Sequence, residues 1–92
     1  MSRPIPATEA QALLEAILEA LDMPYPATIG DTEVHDRILN DRVMHARIAL
    51  KGVLRDGDDA GWSADFLRAR VAELPATGYK AVAPLPAEGV AP

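Results

Sequence analysis

The chain contains no cysteine. This excludes a disulfide framework, a thiolate metal site and a cysteine nucleophile, and it fits a reducing compartment. Aromatic residues make up only 4% of the chain, so its core must be built mainly from aliphatic side chains. Basic residues are also scarce, because 9 lysines and arginines stand against 14 acidic residues and leave a net charge of −5. Since phosphate binding depends largely on lysine and arginine, this balance argues against nucleic acid as the main partner.

Long apolar runs are missing as well. No stretch approaches the roughly 20 apolar residues that a membrane span requires. The N-terminal stretch MSRPIPATEAQ has no apolar segment of the signal-peptide type, and Glu15 and Glu19 interrupt the leucines that follow it. We therefore expect a cytoplasmic protein. A chain of 92 residues forms one domain with a small core, so tight helix packing or a partner must supply stability.

The longest regular pattern runs from Asp31 to Gly57 and predicts one helix. Its apolar residues recur at helical spacing in a wide stripe, namely Val34, Ile38, Leu39, Val43, Ala46, Ala49, Leu50, Val53 and Leu54. Acidic residues lie mainly in its first half and basic residues in its second half, an order that favours the helix dipole. Because the apolar side is wide enough to contact two other elements, this helix is predicted to be the spine of a bundle or half of a dimer.

A first, shorter helix is predicted from Thr8 to about Leu21. Thr8 and Gln11 have the spacing of a capping box, and Pro24 follows the end of the pattern. The expected apolar stripe of this helix comprises Leu13, Leu14, Ile17, Leu18 and Leu21.

A third helix is predicted after the turn DGDDAG, with Gly57 as the C-terminal cap of the long helix. Ser63 is the expected N-cap of this third helix, and Trp62 before it has the spacing of a hydrophobic staple to Leu67. Pro75 is expected to end the helix.

These patterns predict an all-α fold, a small three-helix bundle with a long central helix and a flexible, proline-rich C-terminal tail. The expected boundaries are residues 1–7 for an N-terminal arm, 8–78 for the helical domain and 79–92 for the tail.

Two short motifs each match part of a known functional signal, but neither signal is complete. Leu74 to Gly78 reads LPATG, a sortase sorting motif, but the sequence lacks the hydrophobic span, basic tail and secretory signal that sorting needs, so we interpret the motif as a helix stop and a turn. The loop from Asp56 resembles the start of an EF-hand calcium loop. Ala60 and Leu67 then occupy positions where oxygen ligands are required. We interpret the loop as an acidic turn and expect no metal or cofactor.

Two histidines lie on the long helix, each four residues after an aspartate. Asp31 with His35 and Asp41 with His45 could each share a hydrogen bond. The histidines are ten residues apart, roughly 15 Å along a helix, so they cannot bind one metal ion together. We interpret both as structural residues at the border of the apolar stripe.

Arg42 lies within the apolar stripe, where a charge must find a partner. Three explanations remain open. Its stem extends across the core edge to water, or its guanidinium meets Glu15 or Glu19 of the first helix, or it belongs to an interface.

The segments PATIGDTEVHDRILNDRVMHARIALKGVL and LPATGY resemble stretches of small uncharacterised proteins from actinobacteria of the Streptomyces kind, over roughly residues 8–79. The resemblance implies a cytoplasmic bacterial origin and brings no activity, ligand or site residue with it.

Together these features predict a non-catalytic protein interaction module that associates with itself through the long helix. If the long helices of two copies packed antiparallel, the acidic first half of each would contact the basic second half of the other. The candidate interface comprises His35, Leu39, Arg42, Val43, His45, Ala46 and Leu50, with Tyr25 and Trp62 as further contact candidates. The alternative is a DNA-associated regulatory or accessory protein that acts as a dimer through arginines of the second and third helices. A metal-dependent enzyme is a third and weaker possibility.

Overall fold

The computed structural model describes residues 5–82, which form three α-helices. They are α1 (Ala7–Leu21), α2 (Thr32–Asp56) and α3 (Ala60–Glu73), with one 3-10 turn at Ile29–Asp31 before α2. The predicted all-α three-helix bundle with a long central helix is confirmed. Residues 1–4 of the predicted arm and 83–92 of the predicted tail lie outside the described residues.

The helix directions follow from contacts between the helices. Near the helix starts, a Cβ atom placed on Gly61 would lie 3.2 Å from the carboxylate of Glu9, and further along Arg68 Nε donates to Glu19 at 3.2 Å. The N-terminal ends of α1 and α3 therefore lie side by side, and the two helices run parallel. Helix α3 is the element against which α1 packs most extensively. Because α3 turns back directly after α2, α2 is antiparallel to both.

The main core is built mostly from small side chains. Its buried members are Leu13, Ala16, Ala20, Ala46, Ala49, Val53, Ala60, Ala64 and Leu67. Alanines at these positions let the helix backbones approach closely, and Leu67 of α3 is fully buried. The predicted apolar stripe of α1 is only partly right, because Leu13 is buried and Ile17 half-buried whereas the other three leucines are exposed.

The starts of α1 and α3 differ from the sequence prediction. Pro6 occupies the N-cap of α1 and makes no side-chain cap bond, so Thr8 already lies inside the helix, and Gln11 donates to Glu15 at 3.0 Å. The predicted capping box is therefore wrong. At α3 the cap is Asp59, whose carboxylate accepts the Trp62 backbone N–H at 2.7 Å.

Ser63 is thus an interior residue of α3, where it is buried. Trp62 lies within the helix and not before it, so the predicted staple position is wrong. An aspartate four residues earlier can accept a first-turn N–H equally well, and it starts the helix one turn sooner. The end of α2 is as predicted, because Gly57 adopts the left-handed conformation with φ 75°. Helix α3 ends before Pro75, and Gly78 in the following turn has φ 87°.

The first half of α2 projects beyond the other two helices and is covered by a short ribbon. The ribbon consists of residues 24–27 and 79–82, joined by an isolated antiparallel bridge between Pro26 and Ala81 and by two backbone hydrogen bonds of 2.8 Å. The Tyr79 hydroxyl donates to the Pro24 carbonyl at 2.7 Å, and its ring meets that of His35 edge-on at 5.4 Å. Residues 79–82 of the predicted flexible tail are therefore held in place. None of the described helices combines the length and apolar character needed to cross a membrane.

Candidate interaction surface

The two histidines are held differently from one another. His45 Nδ1 lies 3.3 Å from the Asp41 carboxylate and 2.9 Å from its carbonyl oxygen, as the spacing predicts. The predicted pairing of His35 with Asp31 is wrong, because His35 Nδ1 lies 2.8 Å from Asp36 instead. The Asp31 carboxylate accepts the Thr28 hydroxyl at 2.8 Å.

The pKa of Asp31 is lowered by this bond from Thr28 and, to a smaller extent, by a backbone hydrogen bond from Lys80. Asp31 therefore connects the turn before α2 to the ribbon.

Arg42 adopts none of the three predicted arrangements. The residue is only 6% exposed, so it lies below the surface, and no carboxylate of residues 5–82 bonds to it. One guanidinium nitrogen donates to the Ala20 carbonyl at 3.2 Å and the other to the Leu74 carbonyl at 3.3 Å. These carbonyls belong to the C-terminal ends of α1 and α3, where free carbonyls and the helix dipole favour a cation. Arg42 is thus a shared cap of two helices, and its Nε has no hydrogen-bond partner among residues 5–82.

The candidate interface of the sequence analysis divides into core and surface. His35, Arg42 and Ala46 are buried within the chain itself, so they are corrected to core residues. A helical pattern identifies the apolar side but does not show which sector the neighbouring helices cover. Among the other candidates, Val43 is 38% exposed, and Leu39, His45 and Leu50 are half-buried.

Four of the apolar residues of α2 form one surface stripe, which we call the α2 seam. It consists of Leu39, Val43, Leu50 and Leu54, whose spacings of four and seven residues bring them to one side of the helix. His45 belongs to the other edge of the buried sector, because its ring faces the ring of Phe66 in α3 at 6.1 Å. The seam therefore lies on the flank of α2 that faces away from α3.

A second apolar stripe lies on α1, among the leucines that were predicted to form the apolar side of this helix. It consists of Leu14, Leu18 and Leu21, and we call it the α1 leucine stripe. Leu14 and Leu18 are each 64% exposed. The buried side of α1 instead carries Ala16 and Ala20. Alanines at every fourth position from 12 to 20 were the sequence signal for this close packing. A prediction from hydrophobicity alone misses this signal, because leucine is more hydrophobic than alanine.

Both stripes lie on the same flank of the bundle. On α1, Glu19 faces α3 through its bond to Arg68. Leu14 and Leu18 lie on a different side of α1, which points away from α3. The α2 seam likewise points away from α3. Because α1 and α2 are neighbours in the bundle, the two stripes share the outer face formed by these two helices. An apolar face of this kind typically marks an interaction site.

Charges of opposite sign border the two stripes. Helix α1 contains no lysine or arginine, and Glu15 lies beside its leucines. The second half of α2 carries Arg47, Lys51 and Arg55, all exposed, and none of them forms an ion pair within the part of the chain that the structure describes. The face is thus acidic along α1 and basic along the second half of α2.

The two further contact candidates lie elsewhere on the surface. Trp62 is 61% exposed and stacks on Phe66 with 5.8 Å between ring centroids, and the Arg70 guanidinium lies over the same Phe66 ring. Tyr25 is exposed, and its carbonyl accepts the Val82 N–H in the ribbon. Neither aromatic residue joins the α1 and α2 face.

The arginines of α3 are engaged within the chain. Arg68 donates to Glu19, a contact that raises the pKa of Arg68, and Arg70 pairs with Glu73. The acidic turn before α3 has structural contacts too, since Asp59 caps the helix. A Cβ on Gly52 would collide with the Asp58 side chain. Within residues 5–82, no three histidine, aspartate or glutamate side chains are grouped so that they could hold a metal ion.

Comparison of the chain with known protein families, with curated proteins and with solved structures finds no match.

Proposed function

We propose that this protein is a non-catalytic interaction module that associates with itself through the outer face of α1 and α2. The observation that carries this proposal is the pair of adjoining apolar stripes on one flank. In a single copy Leu14, Leu18, Leu21, Val43 and Leu54 are exposed, and Leu39 and Leu50 are half-buried. A chain of this size has a small core of its own. Burial of such a face between two copies would add the apolar contact that the core lacks.

The α2 seam is the centre of the proposed contact. Of the predicted interface residues, Val43 is exposed and Leu39 and Leu50 are half-buried, and the exposed Leu54 extends their line by one turn. Apolar residues in a straight line along a helix, with charged residues at its border, are typical of helix pairing between chains.

Sedimentation velocity from low to high micromolar concentration tests the proposal, with Val43→Glu as the variant. Glutamate has a higher helix propensity than valine, and Val43 is exposed in one copy, so the fold is expected to persist by circular dichroism. Because each dimer contains the change twice, the dissociation constant is expected to rise roughly hundredfold, about tenfold for each copy.

Met44→Glu is the matched control. Met44 is the next residue along α2 and is 49% exposed, but it lies off the seam. Its dissociation constant is expected to stay within about threefold of the unchanged protein. A sedimentation coefficient that stays monomeric at every concentration would refute self-association, and equal losses in both variants would refute the seam.

A further inference from the structure

We infer that the α2 seam of one copy docks on the α1 leucine stripe of a second copy, so that each α1 packs against the α2 of the other copy. This inference rests on the self-association proposed above and names the surface that receives the seam. Two such contacts, related by a two-fold axis that runs along the bundle, give a closed arrangement of four helices.

The register of the contact follows from the packing within one copy. The bond between Arg42 and the Ala20 carbonyl places the end of α1 beside the middle of α2. A two-fold axis along the bundle preserves these heights, so Leu21 of one copy lies opposite Val43 of the second copy, and Leu14 lies opposite Leu50. Leu14 and Leu21 are seven residues apart on α1, and Val43 and Leu50 are seven residues apart on α2. Both contacts can therefore form at once.

Charge favours the same pairing. At this register Glu15 of one copy comes beside Arg47 of the second copy, and Lys51 faces the same acidic helix. The side chain of Glu15 accepts a bond only from the neutral Gln11 among the described contacts, and Arg47 has no ion pair there. Opposite charges at the border of an apolar contact steer association and suppress other registers.

Direct antiparallel pairing of α2 with α2 is the competing arrangement. It would cover the seam but leave the α1 leucine stripe exposed. Arg42 would contribute no charge to that pairing, because it is buried and bonded to backbone carbonyls. Docking of the seam on α1 covers both stripes with one interface.

Disulfide trapping distinguishes the two arrangements, and the absence of cysteine from the chain makes it selective. Two single variants, Leu14→Cys and Leu50→Cys, are mixed at a concentration where the protein is dimeric, with a mass tag on one of them, and then oxidised mildly. We expect a mixed disulfide between the two variants, because a disulfide needs Cα atoms within about 7 Å. Val43→Cys mixed with Leu50→Cys is expected to give no mixed disulfide, although antiparallel α2–α2 pairing across the seam would bring these two positions together. Met44→Cys mixed with Leu14→Cys is the matched control that does not link.

A charge exchange provides a second test that depends on no new bond. Glu15→Arg and Arg47→Glu are each expected to weaken the dimer about tenfold, since each change places like charges together twice in a dimer. The variant with both changes is expected to return to within about threefold of the original dissociation constant.

The possible outcomes separate the inference from the proposal on which it rests. A dimer in which Val43→Cys links to Leu50→Cys, and Leu14→Cys does not link to Leu50→Cys, overturns docking on α1 while self-association stands. Docking on α1 is also overturned if the losses in dimer affinity from Glu15→Arg and Arg47→Glu add up in the variant that carries both changes. A chain that remains monomeric at high micromolar concentration overturns the inference together with the proposed function.

Discussion

Replacement of Arg42 tests whether one buried cation holds the ends of two helices. Arg42→Met keeps most of the aliphatic stem but removes both hydrogen bonds, to Ala20 and to Leu74. A bond from a charged donor contributes about 1.5 kcal/mol at the lower end of its range, so the two bonds together contribute about 3 kcal/mol. Removal of the unpartnered Nε returns about 1 kcal/mol. We expect a net loss of about 2 kcal/mol in the free energy of unfolding.

Arg42→Ala and Arg42→Lys calibrate this value. Alanine also removes the buried stem, roughly 2 kcal/mol of apolar burial, so the total loss is expected to be about 4 kcal/mol. Lysine keeps a charge but reaches one carbonyl only, and its loss is expected to be about 1 kcal/mol.

The assay is urea unfolding followed by circular dichroism, in a background that carries Val43→Glu. This background removes the contribution of self-association, which would otherwise make stability depend on concentration. An Arg42→Met variant as stable as its parent, or more stable, would refute the shared cap. It would mean that the cost of burying the guanidinium outweighs its two bonds.

Three further outcomes follow from the helix ends and the ribbon. Asp59→Ala removes the carboxylate that accepts the Trp62 N–H, and we expect a loss of about 1 kcal/mol, or about 4–8 °C in Tm by calorimetry. Gly57→Ala is expected to cost about 1 kcal/mol in the same measurement because φ is 75° at this position; no change in Tm would contradict the left-handed cap. The lowered pKa of Asp31, caused first by its bond from Thr28, contributes stability that is present above the unfolded pKa and lost as pH falls below about 4. Asp31→Asn is therefore expected to flatten the dependence of the urea midpoint on pH in this acidic range, and an unchanged slope would count against this role.

Hydrophobic periodicity was sufficient to predict the three helices and the length of α2. It was insufficient to predict which side of α1 faces the core. The parallel helices α1 and α3 approach closely, so alanines rather than most of the leucines of α1 form the contact. The start of α3 was missed for a local reason. Several aspartates precede it, and the pattern does not distinguish Asp59 from the later Ser63 as the cap.

The bonding of Arg42 could not be predicted from side-chain patterns. Its acceptors are backbone carbonyls that lie 22 and 32 positions away in sequence. They become available only where two helices happen to end side by side. The predicted pairing of Arg42 with Glu15 or Glu19 is wrong, because Glu19 accepts Arg68 and Glu15 accepts only Gln11 among the described contacts. Of the proposed contact, the sequence predicted Leu39, Val43 and Leu50 on α2 but neither Leu54 nor the stripe on α1.

The parallel packing of α1 against α3 has a consequence for synthesis of the chain. Glu19 and Arg68, which link these helices, are 49 positions apart, and all of α2 lies between them. At roughly 5–20 residues per second, the first helix leaves the ribosome about 2 to 10 seconds before its main packing partner. Helices of this length are marginally stable alone in water. During this interval the nascent chain therefore presents its leucines to any chaperone that binds exposed apolar segments.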